Sequence, residues 1–295
     1  MTEPVARVET IFRKSRGDCL GHGSSGIVLT VNSNIVVKTA CKYDMHLPGY
    51  AEEEQYSLRR IKQESAVFDS LAKPENWHPN VVLSFLHTPD YIFMERATDD
   101  LFDYVTRNFP IGVCTTYRFL HEILNAVSWL GQTAILHGDV RPPNILVDGN
   151  GHVKLCDFDN ICVFGQYIQV GNAPYYEQSD TGSFGIAGPE SEQGAVGCCA
   201  YFMSTGREPQ DRSHSTTEIP VFGAIIRKCW DGRYPSIVEL GEDVIASMNQ
   251  QEYQVCQEVS ERGSLMAMDH YHKRVAECRA YLSLNGLATE ETSSG

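Results

Sequence analysis

The sequence lacks the features typical of membrane, secreted and nucleic-acid-binding proteins. No apolar run approaches the length of a membrane span, and the first residues contain no apolar stretch like that of a signal peptide. Basic residues are scarce, since 24 Lys and Arg stand against 38 Asp and Glu, for a net charge of −14. Because nucleic acids and anionic membranes attract basic surfaces, we expect neither as a partner.

Paired cysteines are also missing. The ten cysteines show no Cys-x-x-Cys spacing, which argues against a zinc site and against a disulfide framework. We therefore expect a reducing, intracellular location, either cytoplasmic or nuclear. The adjacent Cys198 and Cys199 are expected to pack inside a helix. With 42% hydrophobic residues, the 295-residue chain has an ordinary globular composition, sufficient for one two-lobed domain or two modest ones.

The most informative stretch runs from residue 137 to residue 159. Two apolar runs flank the turn Asp148-Gly-Asn-Gly151, a pattern that predicts a β-hairpin. Asp139, Asn144 and Asp157 stand near the ends of these runs, so we expect their side chains to converge. Phosphoryl transfer requires such a set: one carboxylate near the acceptor hydroxyl, and an amide and a second carboxylate on magnesium.

A glycine-rich segment precedes this stretch, between residues 20 and 29. Its spacing, Gly-x-Gly-x-x-Gly-x-Val, ends at Val28. A dinucleotide-binding turn would need a helix directly after the glycines. Here β-branched residues, a polar turn and the apolar run from Ile35 to Lys38 follow instead, which predicts a strand, a turn and a second strand. Such glycines would let backbone amides approach phosphates closely.

These motifs together resemble the catalytic core of protein kinases. His137-Gly-Asp-Val-Arg-Pro-Pro-Asn144 is similar to the family's catalytic loop H-R-D-x-x-x-x-N, and Asp157-Phe-Asp159 is similar to its D-F-G motif. Gly138 departs from the family's Arg, and Asp159 departs from its Gly. In detail the chain also resembles small, largely uncharacterised kinase-like proteins of filamentous fungi.

The resemblance implies an α+β, two-lobed fold with a small β-rich N-lobe that carries the helix αC and a mostly helical C-lobe. It covers about residues 17–245. On this basis we expect an N-terminal extension over residues 1–16 and a kinase-like domain over residues 17–284. The N-lobe would span about 17–95, the C-lobe about 98–284, and residues 285–295 would form a disordered tail.

The resemblance also implies an ATP site. The residues expected to contact the nucleotide are Gly21, His22, Gly23, Ser24, Ser25, Gly26, Val28, Val36, Lys38, Met94, Glu95, Ala97 and Leu146. Lys38 would pair with the α and β phosphates and would be held by Glu64 in a helix over residues 54–71. Met94 would be the gatekeeper, and the backbone of Glu95 and Ala97 would meet adenine.

The catalytic roles follow from the same resemblance. Asp139 would orient the acceptor hydroxyl and take its proton, and Arg141 would neutralise charge on the moving phosphoryl group. Asn144 and Asp157 would hold Mg²⁺, or alternatively Mn²⁺. The expected partner is a protein substrate that is phosphorylated on Ser or Thr.

The second half of the chain carries further landmarks. A helix is predicted over residues 116–133 from its apolar period, and Trp230 is expected in the core. Ala187-Gly-Pro-Glu190 resembles the family's A-P-E motif, whose Glu pairs with a buried Arg, for which Arg233 is the best candidate. Glu192 is expected to replace the Asp that supports the catalytic loop.

Two other functions remain open on these residues. A pseudokinase would bind nucleotide or a partner without turnover, and Asp159, which adds a carboxylate beside the metal, favours that alternative. A small-molecule phosphotransferase of the aminoglycoside or choline kinase type shares the H-G-D and D-F-D motifs. If the chain is a protein kinase, Gly138 implies that activity does not depend strongly on phosphorylation of Ser179, Thr181 or Ser183, because the missing Arg is the family's usual partner of the phosphate.

Overall fold

The computed structural model describes residues 19–23, 25–41, 50–71, 77–169, 171–179, 182–247 and 266–287. The chain divides into two compact units. Of the described residues, the first unit contains those up to residue 77, those from 83 to 96 and those from 266 to 287, and the second contains those from 78 to 82 and from 97 to 247. The first unit is built on a β-sheet and the second is mostly helical, so the α+β class is confirmed. Within the described ranges, no helix is long and apolar enough to cross a membrane.

The first unit is organised around an antiparallel sheet. Its strands are β1 (Cys19–Gly23), β2 (Gly26–Thr30), β3 (Ile35–Thr39), β4 (Ser84–His87) and β5 (Tyr91–Glu95). They lie in the order β1-β2-β3-β5-β4. Because successive side chains of a strand point to opposite faces, the burial of every residue of β3 means that both faces of the sheet are covered there.

Helix α1 (Tyr50–Ser70) belongs to the same unit. It begins earlier than the predicted start at residue 54, because Glu52 and Glu53 lie in its first turn, where the helix dipole favours carboxylates. Ile61 and Phe68 are buried along one stripe of the helix. The ring of Phe68 stacks on that of Trp77, with 6.0 Å between the ring centroids.

The last helix, α7 (Met268–Leu284), also packs in the first unit, whereas the kinase resemblance assigned it to the C-lobe. Cys278 and Leu282 are fully buried on one side of α7. The ring of Tyr281 meets that of Phe93 in β5 edge-on, at 6.0 Å between centroids. The physical reason for the difference is that the apolar stripe of α7 is buried against this sheet, a partner that helical periodicity does not specify.

Polar contacts fix the position of α7 along the sheet. The hydroxyl of Tyr271 donates to the carbonyl oxygen of Phe85 at 3.3 Å, and the two rings are 5.9 Å apart. In the turn between β2 and β3, Asn32 Nδ2 donates to Oε2 of Glu277, which lies further along α7, at 3.1 Å. Glu277 is also paired with Arg274, 3.0 Å away.

The second unit consists of helices and two small sheets. Its helices are α2 (Leu101–Asn108), α3 (Val113–Gln132), α4 (Gln193–Thr205), α5 (Gly223–Trp230) and α6 (Ile237–Ala246). Its strands are β6 (Asp99–Asp100), β7 (Ile135–Leu136), β8 (Ile145–Val147), β9 (Val153–Leu155) and β10 (Cys162–Val163). Strands β6, β8 and β9 form one sheet, and β7 pairs with β10 in the other.

The predicted hairpin is formed by β8 and β9. Its register pairs Ile145 with Leu155 and Val147 with Val153. The carboxylate of Asp148 closes the turn by accepting hydrogen bonds from the backbone N–H of Asn150 at 2.8 Å and of residue 152 at 3.0 Å. The hairpin therefore has the turn chemistry that its sequence predicts.

The helical core also follows the apolar pattern of the sequence. Helix α3 buries the predicted stripe, which consists of Phe119, Ile123, Leu124, Val127 and Leu130. Trp230, Cys198 and Cys199 are buried as expected, and both cysteines lie inside α4. Burial raises the pKa of the Cys198 thiol to about 11, so this side chain is a packed, protonated thiol at neutral pH.

The packing of α7 generates a stability prediction. Leu282→Ala should lower the free energy of unfolding by about 2–5 kcal/mol, because it leaves a cavity between α7 and the sheet. Leu284→Ala is the matched control, since Leu284 lies in the same helix and is 87% exposed. The control should change the free energy of unfolding by no more than about 0.5 kcal/mol. Chemical denaturation measures both, and equal effects of the two substitutions would contradict this packing.

Candidate active site

The glycine-rich segment forms the turn of the β1–β2 hairpin. Gly21 pairs with Val28, His22 with Ile27, and Gly23 with Gly26. Strand β2 follows the glycines directly and pairs with β3, so the strand–turn–strand prediction is confirmed and the dinucleotide-binding alternative, which needs a helix there, is excluded. Ser25 is buried, and Ser24 lies outside the described residues.

Strand β3 and helix α1 bring Lys38 and Glu64 together. Lys38 Nζ lies 2.5 Å from Glu64 Oε2, and the two side chains are 7% and 0% exposed. A buried ammonium is tolerated only when it is paired, because its removal from water costs several kcal/mol. The pair expected from the sequence is therefore present, and it fixes the ammonium of Lys38 at one position of β3.

The other predicted nucleotide contacts of the first unit lie on the same strands. Lys38 is opposite Val28 on one side and Ile92 on the other, and Val36 is opposite Met94. Met94 is 6% exposed. The backbone of Glu95 lies at the end of β5, and its carboxylate accepts a hydrogen bond from the N–H of residue 83 at 2.8 Å.

Ala97 and Leu146 belong to the second unit. Ala97 is the first residue of its main segment, and Leu146 is the middle residue of β8. Both are half-buried. Leu146 pairs with Asp100 of β6, whose carboxylate caps helix α2 by accepting from the N–H of Asp103 at 2.8 Å. Asp100 is therefore the N-cap of α2.

Asp139 is the centre of a hydrogen-bond cluster in the second unit. Its side chain is almost fully buried and accepts three side-chain hydrogen bonds. Arg141 Nε and Asn144 Nδ2 donate to Oδ2, at 3.0 and 2.7 Å. Asn144 Nδ2 also donates to the Asp139 carbonyl oxygen at 2.9 Å. The carboxylate is held from several directions, as the positioning of a catalytic group requires.

The third donor to Asp139 was not predicted from the sequence. Asn172 Nδ2 donates to Asp139 Oδ1 at 2.7 Å, across 33 positions of the chain. Asn172 sits in the stretch Gly171-Asn-Ala-Pro174, whose composition indicates only a turn. A polar side chain in a turn has many possible partners, so no signal in the sequence identified this one.

Asp157 is held beside this cluster by the backbone. The N–H of Cys156 donates to the carbonyl oxygen of Asn144 at 3.0 Å, which brings Asp157 next to the catalytic loop. Asp157 has φ +68°, in the left-handed region. The following Phe158 is buried and meets the ring of His137 edge-on, at 5.2 Å between centroids. Asp159 is buried and accepts from the side chain of its neighbour, residue 160, at 2.8 Å.

Glu192 supports the catalytic loop as predicted. Its Oε1 accepts from the N–H of Gly138 and from the hydroxyl of Tyr176, each at 3.0 Å. Burial raises the pKa of Glu192, while the charge of His137 and the Gly138 hydrogen bond act in the opposite direction. Burial, followed by the charge of Glu192, raises the pKa of Tyr176, so its hydroxyl stays a donor.

The predicted pair between Glu190 and Arg233 is wrong. Both side chains are exposed, and Arg233 instead pairs with its neighbour Asp231 at 2.8 Å. A half-buried guanidinium, that of Arg212, lies instead near the segment before Glu190, at 3.7 Å from Glu177. Glu190 occupies the position of the Glu in the A-P-E motif, but its side chain is exposed. Helix α4 begins only three residues later, so the connection that follows Glu190 is short.

The donor set suits magnesium that is shared with phosphate groups. Among the residues that the structure describes, no cluster of three or more His, Cys, Asp or Glu side chains could hold a metal by itself. Magnesium in phosphate-transferring proteins is usually bound by one or two carboxylates together with substrate phosphates and water. Asp157 and Asn144 fit that requirement, since the Asn144 NH₂ faces Asp139 and its Oδ1 is the atom that could face a metal.

Comparison with known proteins agrees with this geometry. A sequence model of the protein kinase domain matches residues 15–245, which is more than half of the chain. The chain therefore belongs to the protein kinase domain family.

Similar proteins include kinases related to SNF1. The chain is 32% identical over 145 residues to "Sucrose non-fermenting protein kinase 1" of Fusarium virguliforme, covering 46% of this chain and 21% of that protein. It is 28% identical over 212 residues to "SNF1-like protein kinase ssp2" of Schizosaccharomyces pombe, covering 66% of this chain and 34% of that protein. It is 26% identical over 170 residues to human "NUAK family SNF1-like kinase 2", covering 54% and 26%. The matches thus span about a fifth to a third of these relatives.

Gly138 provides a test of the catalytic loop. It has φ +80°, and a Cβ there would overlap the carbonyl oxygen of Asn160. Gly138→Ala should therefore lower the free energy of unfolding by about 1–3 kcal/mol more than Gly165→Ala. Gly165 is the matched control, because it has φ +85° but open space around the Cβ position. Thermal or chemical unfolding measures the difference, and equal losses in the two variants would show that the loop relaxes without cost.

Proposed function

We propose that this chain is a protein serine/threonine kinase that transfers the γ-phosphoryl group of ATP to hydroxyl groups of a protein substrate. The observation that carries the proposal is the buried Lys38–Glu64 pair, 2.5 Å long, because it presents a fixed ammonium for nucleotide phosphates. The cluster around Asp139 supports it. The relatives named SNF1-like kinases support the Ser/Thr assignment.

In this proposal the nucleotide-binding residues are the ones expected from the sequence. Backbone amides at Gly21, Gly23 and Gly26 would cover the phosphates, with His22, Ser24 and Ser25 in the same turn. Val28, Val36, Met94 and Leu146 would contact adenine, and the backbone of Glu95 and Ala97 would hydrogen-bond to it. Lys38 would hold the α and β phosphates, and Glu64 would hold Lys38.

The second unit would carry the chemistry. Asp139 would orient the acceptor hydroxyl and accept its proton, and its three donors would keep it in that orientation. Arg141 would place a planar guanidinium beside the moving phosphoryl group. Asn144 and Asp157 would hold magnesium, which when bound neutralises charge on the phosphates. Because the transition state of phosphoryl transfer is loose, such positioning and charge stabilisation would dominate catalysis.

We also propose that the kinase domain spans residues 17–284, between an extension and a tail. Its boundary between lobes, near residues 95–98, coincides with the change from the first to the second compact unit. Helix α7 would be part of the domain through its packing in the first unit, since it buries Cys278 and Leu282 there.

The proposal predicts labelled phosphate transfer to generic protein substrates by the purified chain, with ATP and either Mg²⁺ or Mn²⁺. Asp139→Asn should reduce the rate by about 10²–10⁴-fold, because it removes the proton acceptor. Asp90→Asn, an exposed carboxylate outside the site, is the matched control and should keep full activity. A contaminating kinase would be unaffected by Asp139→Asn.

Two outcomes of this assay would overturn the proposal. The first is that the protein transfers no phosphate, while ATP still raises its melting temperature and Lys38→Met abolishes that rise. This result would identify a pseudokinase, an alternative favoured by the buried Asp159 near Asp157. Transfer to choline or an aminoglycoside, with none to protein, would identify a small-molecule phosphotransferase.

A second prediction concerns Ser179, Thr181 and Ser183. Their combined replacement by Ala should leave kcat within about two- to three-fold of the starting protein, because Gly138 offers no guanidinium to a phosphate at these sites. Ser179 and Ser183 already close a turn through the Ser183 N–H and the Ser179 hydroxyl, 3.1 Å apart. Thr181 lies outside the described residues. Steady-state kinetics of protein produced without other kinases measures the effect, and a loss beyond ten-fold would contradict the prediction.

A further inference from the structure

We propose that Arg212 is a positioning residue that orders the segment Gly171–Glu177 and, through Asn172, the carboxylate of Asp139. This inference rests on the proposed kinase function, and it explains how the Asp139 carboxylate is kept in position. It assigns to an arginine of the α4–α5 connection a role that does not require phosphorylation.

Arg212 holds the segment by its main chain. Arg212 Nε donates to the carbonyl oxygen of Pro174 at 3.0 Å, and its Nη2 donates to the carbonyl oxygen of Tyr175 at 2.5 Å. The thiol of Cys198 in α4 donates to the same Pro174 oxygen at 3.5 Å. The planar fork of a guanidinium suits two adjacent carbonyls, and a lysine could satisfy only one of them with good geometry.

Helix α4 has space for this guanidinium because residue 194 is glycine. A Cβ on Gly194 would lie 2.6 Å from Arg212 Cζ, well inside van der Waals contact. The side chain of Arg212 is 17% exposed. Gly194 is thus an independent sign that the position of the guanidinium is built into the helix, since any larger side chain would displace it.

The backbone of Arg212 is itself fixed by helix α5. Arg227 Nη1 donates to the Arg212 carbonyl oxygen at 3.0 Å, and Arg227 also donates to the carbonyl oxygen of His214. Arg227 is in turn 3.9 Å from Asp231. The α4–α5 connection is therefore held to helix α5 at Arg212 itself and at His214.

The held segment leads directly to the catalytic carboxylate. Asn172, two positions before Pro174, donates to Asp139 Oδ1 at 2.7 Å. The N–H of Tyr176 donates back to the Asn172 carbonyl oxygen at 2.9 Å, which closes the segment into a turn. The hydroxyl of Tyr175 is fixed by Glu208 at 2.5 Å. If Arg212 releases residues 174 and 175, the Asn172 amide loses its fixed position relative to Asp139.

The contacts of Arg212 are made to backbone oxygens, so they form as soon as the chain folds. They need no added charge in the segment. In kinases whose catalytic loop carries the Arg, that Arg and a phosphate would order this segment. Here Arg212 holds the segment at Pro174, and Glu192 holds it at Tyr176. The segment is then constitutively ordered.

The test compares Arg212→Lys, Arg212→Met and Gly194→Ala in the full chain. The matched controls are Arg207→Lys, an exposed arginine of the same connection, and Gly241→Ala, a helix glycine with nothing within 4 Å of its Cβ position. The readouts are kcat, the KM for ATP and hydrogen exchange of the Tyr176 amide. The expected result is a fall in kcat of ten-fold or more for Arg212→Met and Gly194→Ala, and a smaller fall for Arg212→Lys.

Two further readouts separate positioning from general instability. The KM for ATP should stay within two-fold, because the Lys38–Glu64 pair proposed to hold the phosphates belongs to the first unit, whereas Arg212 belongs to the second. Exchange of the Tyr176 amide should accelerate at least ten-fold, with amides of α3 unchanged. Unchanged Tyr176 exchange in both Arg212→Met and Gly194→Ala would overturn the proposal, as would equal losses of kcat in the controls. If the starting protein transfers no phosphate, the exchange readout still decides this inference, so the proposed function fails separately.

Discussion

The buried carboxylate of Glu192 is the contact on which the second unit's site depends. It is 2% exposed and accepts hydrogen bonds from Gly138 of the catalytic loop and from Tyr176 of the segment before α4. A buried carboxylate left without donors would cost several kcal/mol. The folded state therefore requires both stretches of chain to reach Glu192, and one charge fixes the loop that carries Asp139 together with the segment that carries Asn172.

The first unit also contains a buried charge that needs a partner, in this case the ammonium of Lys38. The ammonium of Lys38 must be neutralised inside the protein, and Glu64 of α1 supplies the charge. Replacing a buried ion pair by apolar side chains often costs nothing in stability. We therefore expect the Lys38–Glu64 pair to specify one arrangement of strand and helix more than to add stability. The sheet that carries Lys38 also packs against α7, through Tyr281 on Phe93 and Tyr271 on Phe85. The groups proposed to bind phosphate thus rest on a sheet that depends on a helix from the far end of the chain.

Local spacing explains what could be predicted from the sequence. The β8–β9 hairpin and the β1–β2 turn follow from apolar runs and turn residues within a few positions, and Lys38, Glu64 and Asp139 stand in recognisable motifs. The failures concern distant contacts. The motif pattern predicts Arg233 as the partner of Glu190, but burial and reach decide such pairs. Asn172 carries no motif, and no local pattern names the surface that covers the buried side of α7.

The short connection into α4 agrees with an anchor of the kind that we propose for Arg212. Helix α4 begins at Gln193, directly after the Glu190 motif, so that motif has no length in which to turn inward and find a buried partner. In our proposal the anchor acts on the chain upstream, at Pro174 and Tyr175, where the Arg212 guanidinium reaches two carbonyl oxygens. Gly194 in the first turn of α4 sacrifices up to about 1 kcal/mol of helix propensity relative to Ala. That loss is offset because the carbonyl oxygens of Pro174 and Tyr175 receive charge-assisted hydrogen bonds from Arg212.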